Sequence, residues 1–337
     1  MWWNWLPRTT IALGDGDNTT SLTELGVTGP FVYTGGRSGD EVVVTDVGIT
    51  GNATLNGQDG DNDFTFTTDP GSLAPNVITG TLKCIATHGF NTVVLDDTTV
   101  GRNAQFLYGN AVNETTITDS NILGKLLIKG GNYRNQADIV DSTVVLATTF
   151  SAPKGMNTTR LTANGSNFGA AFTYTGSRAR DVLRLFDTDI NGPCRVRTGR
   201  DNDIIEIKGN ANGPCNFHGL VDIRTDVGED ELQIYSANFG GRVLLDTGAD
   251  LDRVEIERNF SRPSYFDNPT VIRLGSGDDQ FRMGMNSSPI AEAYFYDTLL
   301  VDGGPGADTF DGGWNAGHNN GNEYALPPTY QNIVHIS

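Results

Sequence analysis

The chain has 337 residues and a formal net charge of −18 at pH 7, from 41 acidic and 23 basic side chains. That balance excludes a nucleic-acid binder, whose phosphate contacts need clustered Lys and Arg, and it disfavours anionic membranes. Apolar residues at 37% are too many for a disordered chain, yet no apolar stretch reaches the roughly 20 residues of a membrane-crossing helix.

Residues 1 to 30 hold three of the four tryptophans, Trp2, Trp3 and Trp5, and no clean repeat. Met1 to Pro7 lacks the basic start and apolar core of a secretory signal. An open end of a stacked fold exposes unpaired backbone, so this segment is expected to cap the body that follows. The alternative is that its tryptophans dock onto another subunit or surface and join chains end to end.

Residues 31 to 312 repeat. The stretch from Asp181, DVLRLFDTDINGPCRVRTGR, is followed by DNDIIEIKGNANGPCNFHGLVDIRTDVGE and then by DELQIYSANFGGRVLLDTGADL. Each unit opens with Asp, places apolar residues two and four positions later, turns through Asn and Gly, and runs into a second alternating stretch. Similar openings stand at Asp40, Asp63 (shifted by one), Asp138, Asp252, Asp279 and Asp308, with weaker copies at Asn91, Asn113 and Thr159. About twelve openings, roughly 21 to 29 residues apart, predict a stacked all-β solenoid in which no coil can bury its apolar row alone.

Alternation then assigns columns. Leu183, Ile205, Leu232, Val254 and Phe281 are expected to stack inside, with Leu185, Ile207, Ile234, Ile256 and Met283 beside them. Arg184, Glu206, Gln233, Glu255 and Arg282 fall between the two as a solvated charge ladder.

The variable repeat and turn chemistry resemble the secreted bacterial right-handed parallel β-helix proteins, a broad group that includes the pectate-lyase-like superfamily. The resemblance is architectural, covers residues 31 to 312 and brings no enzyme motif. It implies a right-handed parallel β-helix and an extracellular or cell-surface location. Pectate-lyase-like enzymes use Arg or Lys as base on an outer face, with acidic residues holding calcium. Arg178, Arg180, Arg184, Arg195, Arg197 and Arg200 form the only dense basic group of this chain. Arg178, Arg180, Arg195 and Arg197 are therefore the candidates for contact with acidic sugar. Register places Arg195 beside Asp222 and Arg197 beside Arg224, near Asp246.

Gly303-Gly304-Pro305-Gly306-Ala307-Asp308-Thr309-Phe310 resembles one RTX nonapeptide turn. The resemblance implies a Ca2+ ion held by Asp308 and the carbonyls around Gly304 and Gly306. The nearest comparable turn, Leu274 to Asp279, lies a coil away, so a tandem β-roll is excluded. Two other oxygen-rich clusters, Asp15 to Asn18 and Asp59 to Asp63, read as Asx turns that bond nearby backbone N–H groups.

Cys194 and Cys215 share the phrase Asn-Gly-Pro-Cys and are expected to stack on adjacent strands, as a disulfide or as two buried thiols. His88, His218, His318 and His335 show no metal spacing. Residues 313 to 337 break the repeat and read as a second cap. The function these features favour is a non-catalytic secreted or cell-surface scaffold, adhesive or carbohydrate-contacting surface. The alternatives are a calcium-dependent polysaccharide lyase and an end-to-end filament subunit.

Overall fold

The computed structural model describes the chain except residues 1–3, 73, 157, 211–212, 258–261, 285–292, 312–322, 325–328, 332–334 and 337. It is an all-β parallel solenoid, and every strand pairing among the described residues is parallel. Contacts divide the chain into two compact units: residues 1–161 with 166–169, and residues 162–165 with 170–337.

A coil of the first unit shows the plan. Phe31–Thr34, Asp40–Thr45 and Gly48–Ile49 are its three strands, each paired in parallel with its counterpart in the next coil. Phe31, Tyr33, Val42, Val44 and Ile49 point inward and are essentially buried. Period-two alternation places them there. Two strands, Leu82–Asp96 and Ala104–Thr118, run through a corner without interruption.

The first unit begins earlier than the repeat suggested. Within the segment expected to be a cap, Asn4–Leu6, Thr9–Ala12 and Asn18–Thr23 pair with the three strands of the following coil. That coil is hard to see in the sequence because Asn18 and Thr20 stand where Asp and Val stand one coil later. At the other end, the strands Glu323–Tyr324, Thr329–Gln331 and His335–Ile336 continue the parallel pairing of the second unit. Both expected caps therefore contain strands of the solenoid itself.

The second unit follows the expected columns. Leu183, Ile205, Leu232, Val254 and Phe281 are in register and at most 1% exposed. Leu185, Ile207, Ile234, Ile256 and Met283 form the neighbouring column. On the third face, Phe217, Phe239, Phe266 and Phe295 stack with ring centroids 5.0, 4.7 and 4.4 Å apart.

Each unit carries an interior polar column at the position of the opening residue. In the first unit it reads Asn18, Asp40, Asn62, Asn91, Asn113 and Asn135, linked by register. Asp63 and Asp138, expected as openings, lie elsewhere: Asn62 and Asn135 hold the column, and Asp63 and Asp138 point outward. In the second unit the column is Asp181, Asp203, Asp230, Asp252, Asp279 and Asp308. Successive members are 22, 27, 22, 27 and 29 residues apart, which are the coil lengths.

A second polar position explains more of the acidic composition. Asp46, Asp97, Asp119, Asp141 and Asp187 turn one corner of their coils at φ 47–54°. Asp tolerates this left-handed conformation better than most residues, so these carboxylates serve backbone geometry.

Candidate functional site

The basic group of the second unit occupies two successive coils. Arg195 and Arg197 lie on the outer face of the strand Cys194–Arg200, paired with Asp222 and Arg224 as register required, and Arg224 in turn pairs with Asp246. Arg197 is committed: its guanidinium bonds Asp222 Oδ2 at 2.6 Å and the Asp222 carbonyl at 3.1 Å. Arg224 takes the other oxygen of Asp222 at 3.3 Å. Burial pushes the Asp222 carboxyl up, but Arg197 and Arg224 outweigh it and hold the group below the usual carboxylate range.

The remaining arginines are placed differently. Arg178 and Arg180 lie in the turn before Asp181, Arg195 points outward, and Arg200 ends its strand; all four are exposed. Among the described residues none of the four makes an ion pair. Ser177 packs directly against Gly199, whose added Cβ would meet the Ser177 carbonyl oxygen at 2.1 Å. That contact stacks the turn that carries Arg178 on the segment that leads into Arg200.

The outward ladder of the next face is internally paired. Arg184 bonds Glu206, which also accepts from Lys208 at 2.7 Å. Arg253 bonds Glu255, which accepts the Tyr235 hydroxyl at 2.9 Å and lies 3.5 Å from Arg282. Burial raises the Glu206 and Glu255 carboxyls, and these partners bring both below their ordinary range.

At the RTX-like turn, Asp308 Oδ1 accepts the Asp279 N–H at 2.9 Å. Gly304 has φ +82°, and a Cβ there would lie 1.7 Å from the Gly275 carbonyl oxygen; at Gly306 it would lie 1.6 Å from that of Gly277. Close coil-to-coil approach thus accounts for both glycines. Among the described residues no group of three His, Cys, Asp or Glu side chains is disposed to hold a metal ion.

The aspartates of the oxygen-rich turns bond across coils. Asp15 accepts the Arg37 N–H at 3.1 Å, Asp17 that of Gly39 at 3.2 Å, and Asp61 that of Phe90 at 2.6 Å. In place of the local N–H groups expected of Asx turns, these three carboxylates accept N–H groups of the stacked coil. Asp17, Asp40, Glu41, Asp61 and Asp63 line an open cleft of about 270 Å³ in the first unit, without an aromatic side chain.

The aromatic residues separate into two groups. Phe172 and Tyr174 are interior, whereas Tyr235 is buried within the outward ladder, its ring under Lys208 Nζ at 5.3 Å and its hydroxyl on Glu255. Tyr296 is 54% exposed and stacks with Tyr265 and Tyr294 at 6.3 and 6.5 Å between ring centroids. Trp5, 54% exposed, lies over Gly26 of the following coil, where a Cβ would meet its ring at 2.5 Å. Trp2, Trp3 and His318 lie outside the described residues.

The two like-phrased cysteines do not stack. Cys194 pairs with Val221, whereas Cys215 pairs with Ala237 on another face, and all three cysteines are free and buried. The shared phrase recurs at 21 residues, but the coil from Cys194 to Val221 spans 27. Nothing in the spacing of the phrase alone discloses that mismatch. No family model, curated protein or solved structure matches the chain.

Proposed function

We propose that this protein is a non-catalytic scaffold, secreted or held at a cell surface, that contacts acidic carbohydrate through Arg178, Arg180, Arg195 and Arg200. The reading rests on a contrast among arginines. Arg184, Arg197, Arg224 and Arg253 are neutralised by carboxylates of their own ladders, while these four exposed guanidiniums make no ion pair among the described residues. In a chain of net charge −18, such a cluster attracts an anion that the rest of the surface repels. Uronic-acid carboxylates suit guanidinium forks, which bind carboxylates in bidentate fashion.

The test is binding of the full chain to polygalacturonate, with neutral dextran as control, across salt concentrations. Binding that weakens with salt and is lost on changing all four arginines to alanine supports the proposal. Unaltered binding by that variant contradicts the assignment of the site. Release of an unsaturated product, seen by its ultraviolet absorbance, would replace the scaffold with a lyase.

A further inference from the structure

The column of opening residues differs in chemistry between the units. In the first unit amides are linked head to tail. Asn62 Nδ2 donates to Asn91 Oδ1 at 2.9 Å, Asn91 to Asn113 at 3.1 Å, and Asn113 to Asn135 at 2.9 Å. The same Nδ2 groups donate to carbonyls two residues upstream, Asn62 to Gly60 at 2.8 Å and Asn113 to Ala111 at 3.0 Å. Each amide can accept through one atom and donate through the other.

In the second unit aspartates stand at these positions, and Asp203, Asp230, Asp252, Asp279 and Asp308 are each at most 2% exposed. Oδ1 of each accepts the N–H of the column residue one coil earlier, at 2.7, 2.8, 2.9, 2.8 and 2.9 Å respectively. Oδ2 of each is buried and has no hydrogen-bond partner. Ionised carboxylates in this arrangement would leave charge on unsolvated oxygens, stacked one coil apart.

The surrounding groups relieve that charge only in part, through the backbone N–H groups and the nearby threonines. The titratable groups facing the column are Tyr174, Asp181, Asp226, Asp250, Asp278 and Asp302. Thr225 and Thr247, which neighbour Asp230 and Asp252, already donate to the carbonyls of Thr247 and Leu274 at 2.8 and 2.7 Å. Thr198, beside Asp203, lies 3.4 Å from the Thr225 carbonyl, so each of the three hydroxyls shares its single proton with a backbone carbonyl.

We infer that Asp203, Asp230 and Asp252 are neutral carboxylic acids in mild acid, forming a protonated column that takes the place of the amide column and makes the second unit acid-stabilised. A protonated carboxyl has the donor-and-acceptor character of an amide, so the same coil geometry accepts either. Burial, with neighbouring carboxyls adding to it, pushes Asp203 and Asp252 up to about 8 and Asp230 up to about 6.

Those raised values fix the direction of the pH dependence. In the unfolded chain an aspartate ionises near pH 4. Stability from the column is thus fully present below about pH 4 and is lost as pH rises through about 6 and then about 8. Each carboxyl that keeps its proton only when folded weakens the folding equilibrium roughly ten-fold per pH unit across that window.

Thermal unfolding of the full chain from pH 4.5 to 8.5, for wild type and for Asp203→Asn/Asp252→Asn, tests the inference. The wild-type midpoint should fall as pH rises, and the variant should show a shallower fall and a higher midpoint at pH 8. A pH-independent wild type, or a variant less stable than wild type at pH 8, overturns the inference. Infrared difference spectra of the wild type supply a readout independent of the variant. A neutral carboxylic-acid band that disappears between pH 5.5 and 8.5 supports the protonated column, and its absence throughout contradicts it. If added Ca2+ stabilises the wild type at pH 8 but not the variant, the carboxyls are ionised cation ligands and the inference fails.

Discussion

Asn113 offers a direct measure of what the amide column contributes. Its side chain is 1% exposed and makes three bonds: it accepts from Asn91 at 3.1 Å and donates to Asn135 at 2.9 Å and to the Ala111 carbonyl at 3.0 Å. Asn113→Ala removes all three and strands the Asn91 donor in the interior, while Asn135 Oδ1 keeps the Gly131 N–H at 3.0 Å. A buried group left without a partner costs about 1–3 kcal/mol, and that is the expected loss before any cavity contribution. Equilibrium denaturation of the full chain, followed by circular dichroism, reads the difference as a shift in midpoint at unchanged slope. Asn113→Asp should behave differently: near wild type in mild acid, where the carboxyl can donate, and destabilised above neutrality. A loss under about 0.5 kcal/mol for the alanine variant, the range of ordinary surface changes, would show that the column is not a connected bonded network.

Phe239→Ala removes a ring stacked between Phe217 and Phe266 at 5.0 and 4.7 Å and should cost about 3–5 kcal/mol by denaturation. Gly275→Ala places a Cβ 1.7 Å from the Gly248 carbonyl oxygen at φ +99°, so soluble yield and melting temperature should both fall. Asp222, Glu206 and Glu255 are held below their ordinary range by basic partners. Their contribution is present above about pH 4 and lost as pH falls through their lowered values, so melting temperature should drop again in strong acid. Burial pushes the Cys194 and Cys215 thiols up to about 12, so the native protein should resist a thiol reagent and react at all three cysteines once denatured.

The repeat is legible in the sequence because inward apolar positions obey strict alternation: Leu183, Ile205, Leu232, Val254 and Phe281 share one column as expected. The opening column is only partly legible. Asp is conspicuous in a repeat, but the structural requirement is a short side chain with an acceptor, which Asn meets equally well. The pattern therefore points to Asp63 and Asp138, which face outward, where Asn62 and Asn135 hold the column. Turn aspartates such as Asp97 and Asp141 add to the acidic composition without marking the column, since a left-handed corner and an interior ladder both favour the residue.

Of the candidate site, the pairing of Arg195 with Asp222 follows from register. What register does not disclose is which arginine reaches that carboxylate. Arg197, two residues along the strand from Arg195, takes Asp222 because its long guanidinium side chain spans that offset. The approach of Ser177 to Gly199 is also hidden, because it depends on how a turn stacks and not on strand alternation.

If acidic polysaccharide is held by Arg178, Arg180, Arg195 and Arg200, the backbone around them must change its solvent protection on binding. Hydrogen–deuterium exchange of the full chain, with and without polygalacturonate, reads that change directly. Protection should concentrate in roughly residues 176–203, the span of these arginines and their turns, and should vanish in the four-alanine variant. Protection confined to the aromatic group at Tyr265, Tyr294 and Tyr296, or retained in full by that variant, would contradict it.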